Sequence, residues 1–215
     1  MLKFLSPSLL DSFAYYLSIQ DSEQSQSKRA EIINRLLDIK TPANEALLAG
    51  LEFEKNVQLA CNDCFVSKGE KYDDCVIEIA NVVRGGIYQH PINVEIDGVL
   101  FFSEPEKPIS IDFLKINTAY DVKTTKKYEV GKYQFGNQHL VYLLALRQER
   151  IDNFVYLVTD FRNVYQEFYQ WKPSFRDTLK SNITQFFDYL SSDIEMSNAY
   201  LAYCQRKEKA CQCLV

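Results

Sequence analysis

Glycine and histidine are scarce in this sequence, 7 and 2 respectively among 215 residues. So few glycines disfavour Gly-rich repeats and phosphate loops. The one adjacent pair, Gly85 and Gly86, lacks both the Lys and Ser/Thr of a Walker loop and the third spaced Gly of a dinucleotide fingerprint. Two histidines, His90 and His139, cannot build a three-histidine zinc site or a zincin motif. Long apolar runs are missing too: nothing approaches the roughly 18 residues of a membrane span. The apolar patch within Met1 to Ser8 is broken by Ser6, Pro7 and Ser8, unlike a signal peptide. Six cysteines with no export signal fit a reducing cytoplasm, where they are thiols rather than disulfides.

What is present describes one globular domain, with 47% hydrophobic and 25% charged residues. A net charge of -5 argues against a protein that coats nucleic acid nonspecifically, since that affinity comes from Lys and Arg. It is compatible with a carboxylate cluster holding divalent metal, because the bound ion supplies positive charge locally.

Along the chain, residues 1–90 read as helical, 91–172 as a sheet core and 173–215 as closing helices. Ser6 and Pro7 start a first helix carrying Leu9, Leu10, Phe13, Tyr16 and Leu17. The polar stretch Gln20 to Ser27 reads as a loop, and Ile32 to Ile39 as a second helix. Thr41 caps a third, whose apolar series is Leu47, Leu48, Leu51, Val57 and Leu59. A fourth covers Asp74 to Val83 and ends at the glycine pair. After Pro91 the period changes to two, predicting strands over Asn93–Phe102, Ile109–Ile116 and Ala119–Thr124, with Asp97-Gly98 forming either a hairpin turn or a bulge. A helix over Lys132–Gln148, strands over Asn153–Asp160 and Val164–Trp171, and helices over Ser174–Leu190 and Ile194–Lys209 complete an α/β chain with a mixed central sheet flanked by helices.

Chemistry concentrates in the second and third strands. Alternation puts Asp121 and Lys123 on one face, and Asp112 lies between Ile111 and Phe113 on the preceding strand. A carboxylate between two large apolar residues needs a partner. Asp112, Asp121 and the Val122 carbonyl make a hard-oxygen set suited to Mg²⁺ or Mn²⁺, with Lys123 placed to orient a nucleophile. Downstream, Lys126, Lys127 and Lys132 alternate with Tyr128 and Tyr133, a segment suited to phosphate contact and base stacking.

Together these residues resemble the PD-(D/E)XK nuclease superfamily, in particular its RecB-type and phage-type exonuclease branch. Asp112 is similar to the family's first acidic ligand, and Asp121-Val122-Lys123 to its acid-x-Lys signature, followed by Thr124-Thr125. Gly50-Leu51-Glu52-Phe53-Glu54 resembles its Gly-led helical motif, which implies Glu54 as a third metal ligand with Glu52 as competitor. Gln138 and Tyr142, four apart on a helix, resemble the pair this branch presents to the substrate. The resemblance implies a restriction-endonuclease-like core and a Mg²⁺-dependent exonuclease acting on DNA, with recombination, repair or phage-replication proteins as its setting. The competing reading is a nuclease-fold protein that binds nucleic acid or a protein partner without cutting it.

Some relatives hold an iron-sulfur cluster on one amino-terminal and three carboxy-terminal cysteines. Here Cys61, Cys64, Cys204, Cys211 and Cys213 depart from that spacing, and Phe13-Ala14-Tyr15-Tyr16 has no cysteine, so no cluster is expected. The sequence carries no signature of an oligomer.

Overall fold

The computed structural model describes residues 2–39, 44–63, 72–101 and 109–212. They form a mixed α/β fold in which a five-stranded sheet has helices on both faces. The sheet runs β2 (Ile87–Ile92), β5 (Ile109–Lys115), β6 (Thr118–Thr124), β7 (Asn153–Thr159) and β8 (Val164–Gln170) in spatial order. Only β6 and β7 pair in parallel; the other neighbours are antiparallel. A parallel pair needs a crossover, supplied by α5 (Gln138–Ala145) and the 3-10 turn Leu146–Glu149.

The Asn93–Phe102 strand is a hairpin, β3 (Val94–Ile96) and β4 (Val99–Phe101). Asp97 (φ +49) and Gly98 (φ +78) both take the left-handed conformation that such tight turns require. β1 (Lys3–Leu5) adds in parallel to β4, completing a separate three-stranded sheet. Sequence reading misses β1, which is too short to show alternation, and β2, which contains Pro91. That proline is tolerated because β2 is an edge strand.

The helix α1 (Pro7–Ser18) starts as expected, the Ser6 hydroxyl accepting the Leu9 N–H. The expected loop over Gln20–Ser27 is instead the first half of α2 (Ser22–Leu36), capped by Asp21, which accepts the Gln24 N–H at 2.8 Å. Ser, Glu and Gln in this stretch give no apolar period, yet nothing in it breaks a helix. In α3 (Glu45–Asn62) the cap is Asn44; the expected cap, Thr41, lies outside the described residues. Its buried stripe is Phe53, Val57 and Ala60, while Leu47, Leu48, Leu51 and Leu59 are exposed. α4 (Asp74–Val83), α6 (Ser174–Ser192) and α7 (Ile194–Gln212) lie where the periodicity puts them. Among the described residues no helix is long and apolar enough to cross a membrane.

Alternation along β7 divides the interior. Phe154, Tyr156 and Val158 enter a large core with α1, α5, α6 and α7; Val155 and Leu157 enter a smaller one with α3 and α4. Cys204 belongs to the larger core, and Cys61 and Cys75 to the smaller. Cys61 and Cys204 therefore lie on opposite faces of the sheet; Cys64 and Cys213 lie outside the described residues.

His139 sits in the larger core as a packing residue, 1% exposed, stacked on Tyr169 with ring centroids 4.1 Å apart and edge-on to Phe175 and Tyr156. Burial pushes its imidazole down to about 4 from 6.5. The unfolded chain therefore takes up a proton that the fold refuses, so this contribution is complete above pH 6.5 and is lost as pH falls towards 4, an effect of roughly 3 kcal/mol. Denaturant titrations of wild type and His139→Phe across that range should show the variant lacking this acid-side loss.

Candidate active site

The sheet opens at Asp112. The β5–β6 ladder runs Lys115↔Thr118, Leu114↔Ala119, Phe113↔Tyr120 and stops one step short of Asp112 and Asp121. On the other side of β5, the β2 ladder passes from Tyr88↔Phe113 to His90↔Ile111, omitting Gln89, whose φ is +52. Side-chain alternation also shifts here: Ile109 and Ile111 join the larger core, Phe113 the smaller and Leu114 the larger again. In the gap the Val122 N–H donates to Asp112 Oδ2 at 2.8 Å, so a side chain replaces a rung of backbone pairing. This is the position at which the Asp112 and Asp121 carboxylates come together.

Asp121 is 2% exposed and shares its face of β6 with Lys123. Its Oδ1 accepts the Gln138 Nε2–H at 2.6 Å. Its Oδ2 lies 2.6 Å from Lys123 Nζ, a close ion pair between a buried carboxylate and a half-buried ammonium. Gln138 Nε2 also donates to the Tyr142 hydroxyl at 3.0 Å, which donates to the Ser110 carbonyl at 3.1 Å. One turn of α5 thus links β6 to β5 across the opening.

Two further residues, absent from the sequence reading, hold that turn in place. Asp11 of α1 accepts both the backbone N–H and the side-chain Nδ2–H of Asn137, at 2.6 and 2.9 Å, and Asn137 Oδ1 accepts from Asn182 of α6 at 2.7 Å. An Asp amid the apolar residues of a first helix is the only signal the sequence offered. The expected helix from Lys132 starts at Gln138 instead; residues up to 135 form turns, with Gly131 at φ +79.

On the opposite face, Gly50 brings α3 against the end of β6, where an added Cβ would lie 3.0 Å from Thr124 Oγ1. One helical turn on, Glu54 Oε1 accepts from the Tyr88 hydroxyl at 3.1 Å and from Gln89 Nε2 at 2.8 Å. Gln89 in turn accepts from the Ser110 hydroxyl at 2.5 Å. Of the two candidate glutamates, Glu54 is the one turned inward, and Glu52 is exposed. Glu54 is nevertheless tied to the edge strand. Among the described residues no three His, Cys, Asp or Glu side chains converge as a metal-holding group.

The electrostatics follow from this gathering. Burial, then the charges of Asp121 and Glu54, push the Asp112 carboxyl well above its ordinary value, against the pull of Lys123 and the Val122 N–H. Burial also raises Asp121, opposed by Lys123 and Gln138. For Lys123, burial works downward, but Asp121 and Asp112 outweigh it and hold the ammonium above the usual lysine value. Burial and the Asp121 charge keep Tyr142 a neutral phenol. Two neighbouring carboxyl groups sharing a single ammonium are the hard-oxygen donors that suit a divalent cation such as Mg²⁺ or Mn²⁺.

The basic segment divides. Lys126 and Lys127 are exposed, with Lys127 paired to Glu129 at 2.7 Å; Lys132 donates to Thr125 Oγ1 and to the Lys127 carbonyl. Tyr128 stacks on Tyr165, centroids 4.3 Å apart, and the Tyr133 ring lies 4.8 Å from Tyr156. Both tyrosines expected to stack on bases are thus engaged within the fold.

Because the folded state raises the Asp112 carboxyl, its contribution to stability is greatest below the unfolded-state value and declines as pH rises through it towards the folded value. Asp112→Asn keeps an acceptor for Val122 and removes the charge. Above neutral pH it should stabilise the metal-free protein by about 1 kcal/mol, a rise of roughly 2–4 °C in Tm at this size. In thermal melts this gain should shrink as pH is lowered. Compared with known proteins, the chain matches no family model and no curated protein.

Proposed function

We propose that the protein is a metal-dependent DNA nuclease of the PD-(D/E)XK kind that hydrolyses phosphodiester bonds, acting as an exonuclease. The observation that carries this reading is the opening of the sheet at the position where Asp112, Asp121 and Lys123 meet, with two carboxylates gathered beside one ammonium. Asp112, Asp121 and the Val122 carbonyl would hold a divalent cation, which when bound supplies Lewis-acid stabilisation of a phosphoryl oxygen and a more acidic water.

The side chains divide the remaining work. Hydrolysis joins a water oxygen to phosphorus, breaks the bond to the leaving oxygen and returns a proton to it. Lys123, held protonated by its two aspartates, orients the attacking water and offsets charge gathering on the phosphoryl group; its raised affinity for protons makes it a donor and not a base. Gln138 fixes Asp121 through Oδ1 and so leaves Oδ2 facing the ion pair. Tyr142 braces the strand on the far side of the gap.

Purified protein should degrade linear DNA with Mg²⁺ or Mn²⁺ and stop on chelation. Asp112→Asn and Lys123→Ala, both folded by circular dichroism, should each lose at least about a hundredfold in rate. Equal degradation by wild type and both variants would remove the reading.

The engagement of Glu54 with Tyr88 and Gln89 favours a second reading, a nuclease-fold protein that binds without cutting. Isothermal titration with Mg²⁺ separates the two: heat of binding that Asp112→Asn abolishes belongs to the nuclease, and no heat with wild type belongs to the binder.

A further inference from the structure

The turn segment between β6 and α5 leaves the site just after Lys123 and re-enters it at Gln138, so the site fixes both its ends. Between them it is braced. Glu167, 7% exposed on β8, accepts the Tyr133 N–H at 3.2 Å and the Tyr169 hydroxyl at 2.6 Å. Tyr128 and Tyr133 pack on sheet tyrosines, and Lys132 reaches back to Thr125 and to the Lys127 carbonyl at 3.1 Å. This braced segment nonetheless holds Phe135 at 85% exposure and Val130 at 94%. The neighbouring tyrosines pack against sheet tyrosines while this ring stands in water, so it offers an apolar face open to a ligand.

The surroundings define that partner. The segment carries Lys126, Lys127 and Lys132 against one acid, Glu129, and Lys132 is bonded to neutral oxygens. Positive charge beside an exposed ring suits a phosphate backbone carrying bases. Two side chains offer far too little area for a stable protein interface, which needs about 800 Å² per partner. A phenyl ring has no hydrogen-bonding group, so it would meet any base by its face. Within a duplex that face is covered by the neighbouring base pairs, so away from a duplex end only an unpaired base is open to it.

We propose that this segment seats an unpaired DNA strand, with Phe135 as the platform for one base and Lys126 and Lys132 on its phosphates. The proposal rests on the nuclease reading in one respect, that the strand continues towards Lys123 and Asp121.

The test is fluorescence anisotropy in the presence of chelator, with a labelled single strand of about 16 nucleotides as probe and a covalently closed circular duplex, which has no terminal pair and no loop, as competitor. Wild type should prefer the single strand. Phe135→Ala should weaken single-strand binding about tenfold and leave the duplex unchanged, and Phe135→Trp should restore it. Lys126→Ala should lower the slope of log affinity against log salt by about 0.7 for the single strand. Circular dichroism and sedimentation accompany each variant. Unchanged single-strand affinity in folded Phe135→Ala overturns the proposal, as does a change in oligomeric state in place of a change in binding. Cleavage with Mg²⁺ is measured in parallel. Phe135-dependent binding without cleavage by wild type removes the nuclease reading and keeps the strand seat. Normal cleavage with Phe135-independent binding removes the strand seat alone.

Discussion

The organising constraint is the approach of two carboxylates, Asp112 and Asp121, inside a sheet whose backbone pairing stops to admit them. Like charges brought together out of water oppose folding, and each lost ladder bond leaves a polar group to be satisfied. The protein meets the second cost directly, with the Asp112 carboxylate taking the Val122 N–H. It meets the first only in part, since a single ammonium, Lys123, stands against two aspartates and the more distant Glu54. The remaining repulsion falls on the Asp112 carboxyl, which burial and the neighbouring charges hold well above its ordinary value.

The helices on the two faces serve that constraint differently. On the larger-core face, α5 carries Gln138 and Tyr142 over the opening and joins the separated strands through side chains. On the smaller-core face, Gly50 lets α3 lie against the end of β6, and Glu54 bonds the edge strand where Gln89 departs from the ladder. The opening is therefore bridged on one side and edged on the other, and neither helix refills it with apolar packing.

Much of this was legible because strand alternation is a strict rule. It put Asp121 and Lys123 on one face, and it made Asp112 between Ile111 and Phe113 look expensive. The four-residue spacing of Gln138 and Tyr142 was equally reliable, although the start of their helix was not. What stayed hidden depended on distant partners. Nothing near Asp11 announces Asn137, 126 positions away. Tyr133 in a lysine-rich stretch looks like a stacking residue until Tyr156 is seen beneath it. The polar first half of α2 failed to register because a stretch without apolar residues has no hydrophobic period, and β2 because its proline suggested a boundary where an edge strand could accept it.

The bracing of α5 also sets the order in which its contacts can be completed. Asn137 is held at once by Asp11 from the first helix and by Asn182 from the sixth, and Phe4 exchanges backbone hydrogen bonds with the Tyr200 hydroxyl of the seventh. A nascent chain that has emitted the whole sheet still lacks Asn182 and Tyr200. The carboxylates can approach each other at that stage, but the turn that aligns Gln138 with Asp121 cannot yet be locked. The clamp on this turn is therefore completed only when the last helices have docked.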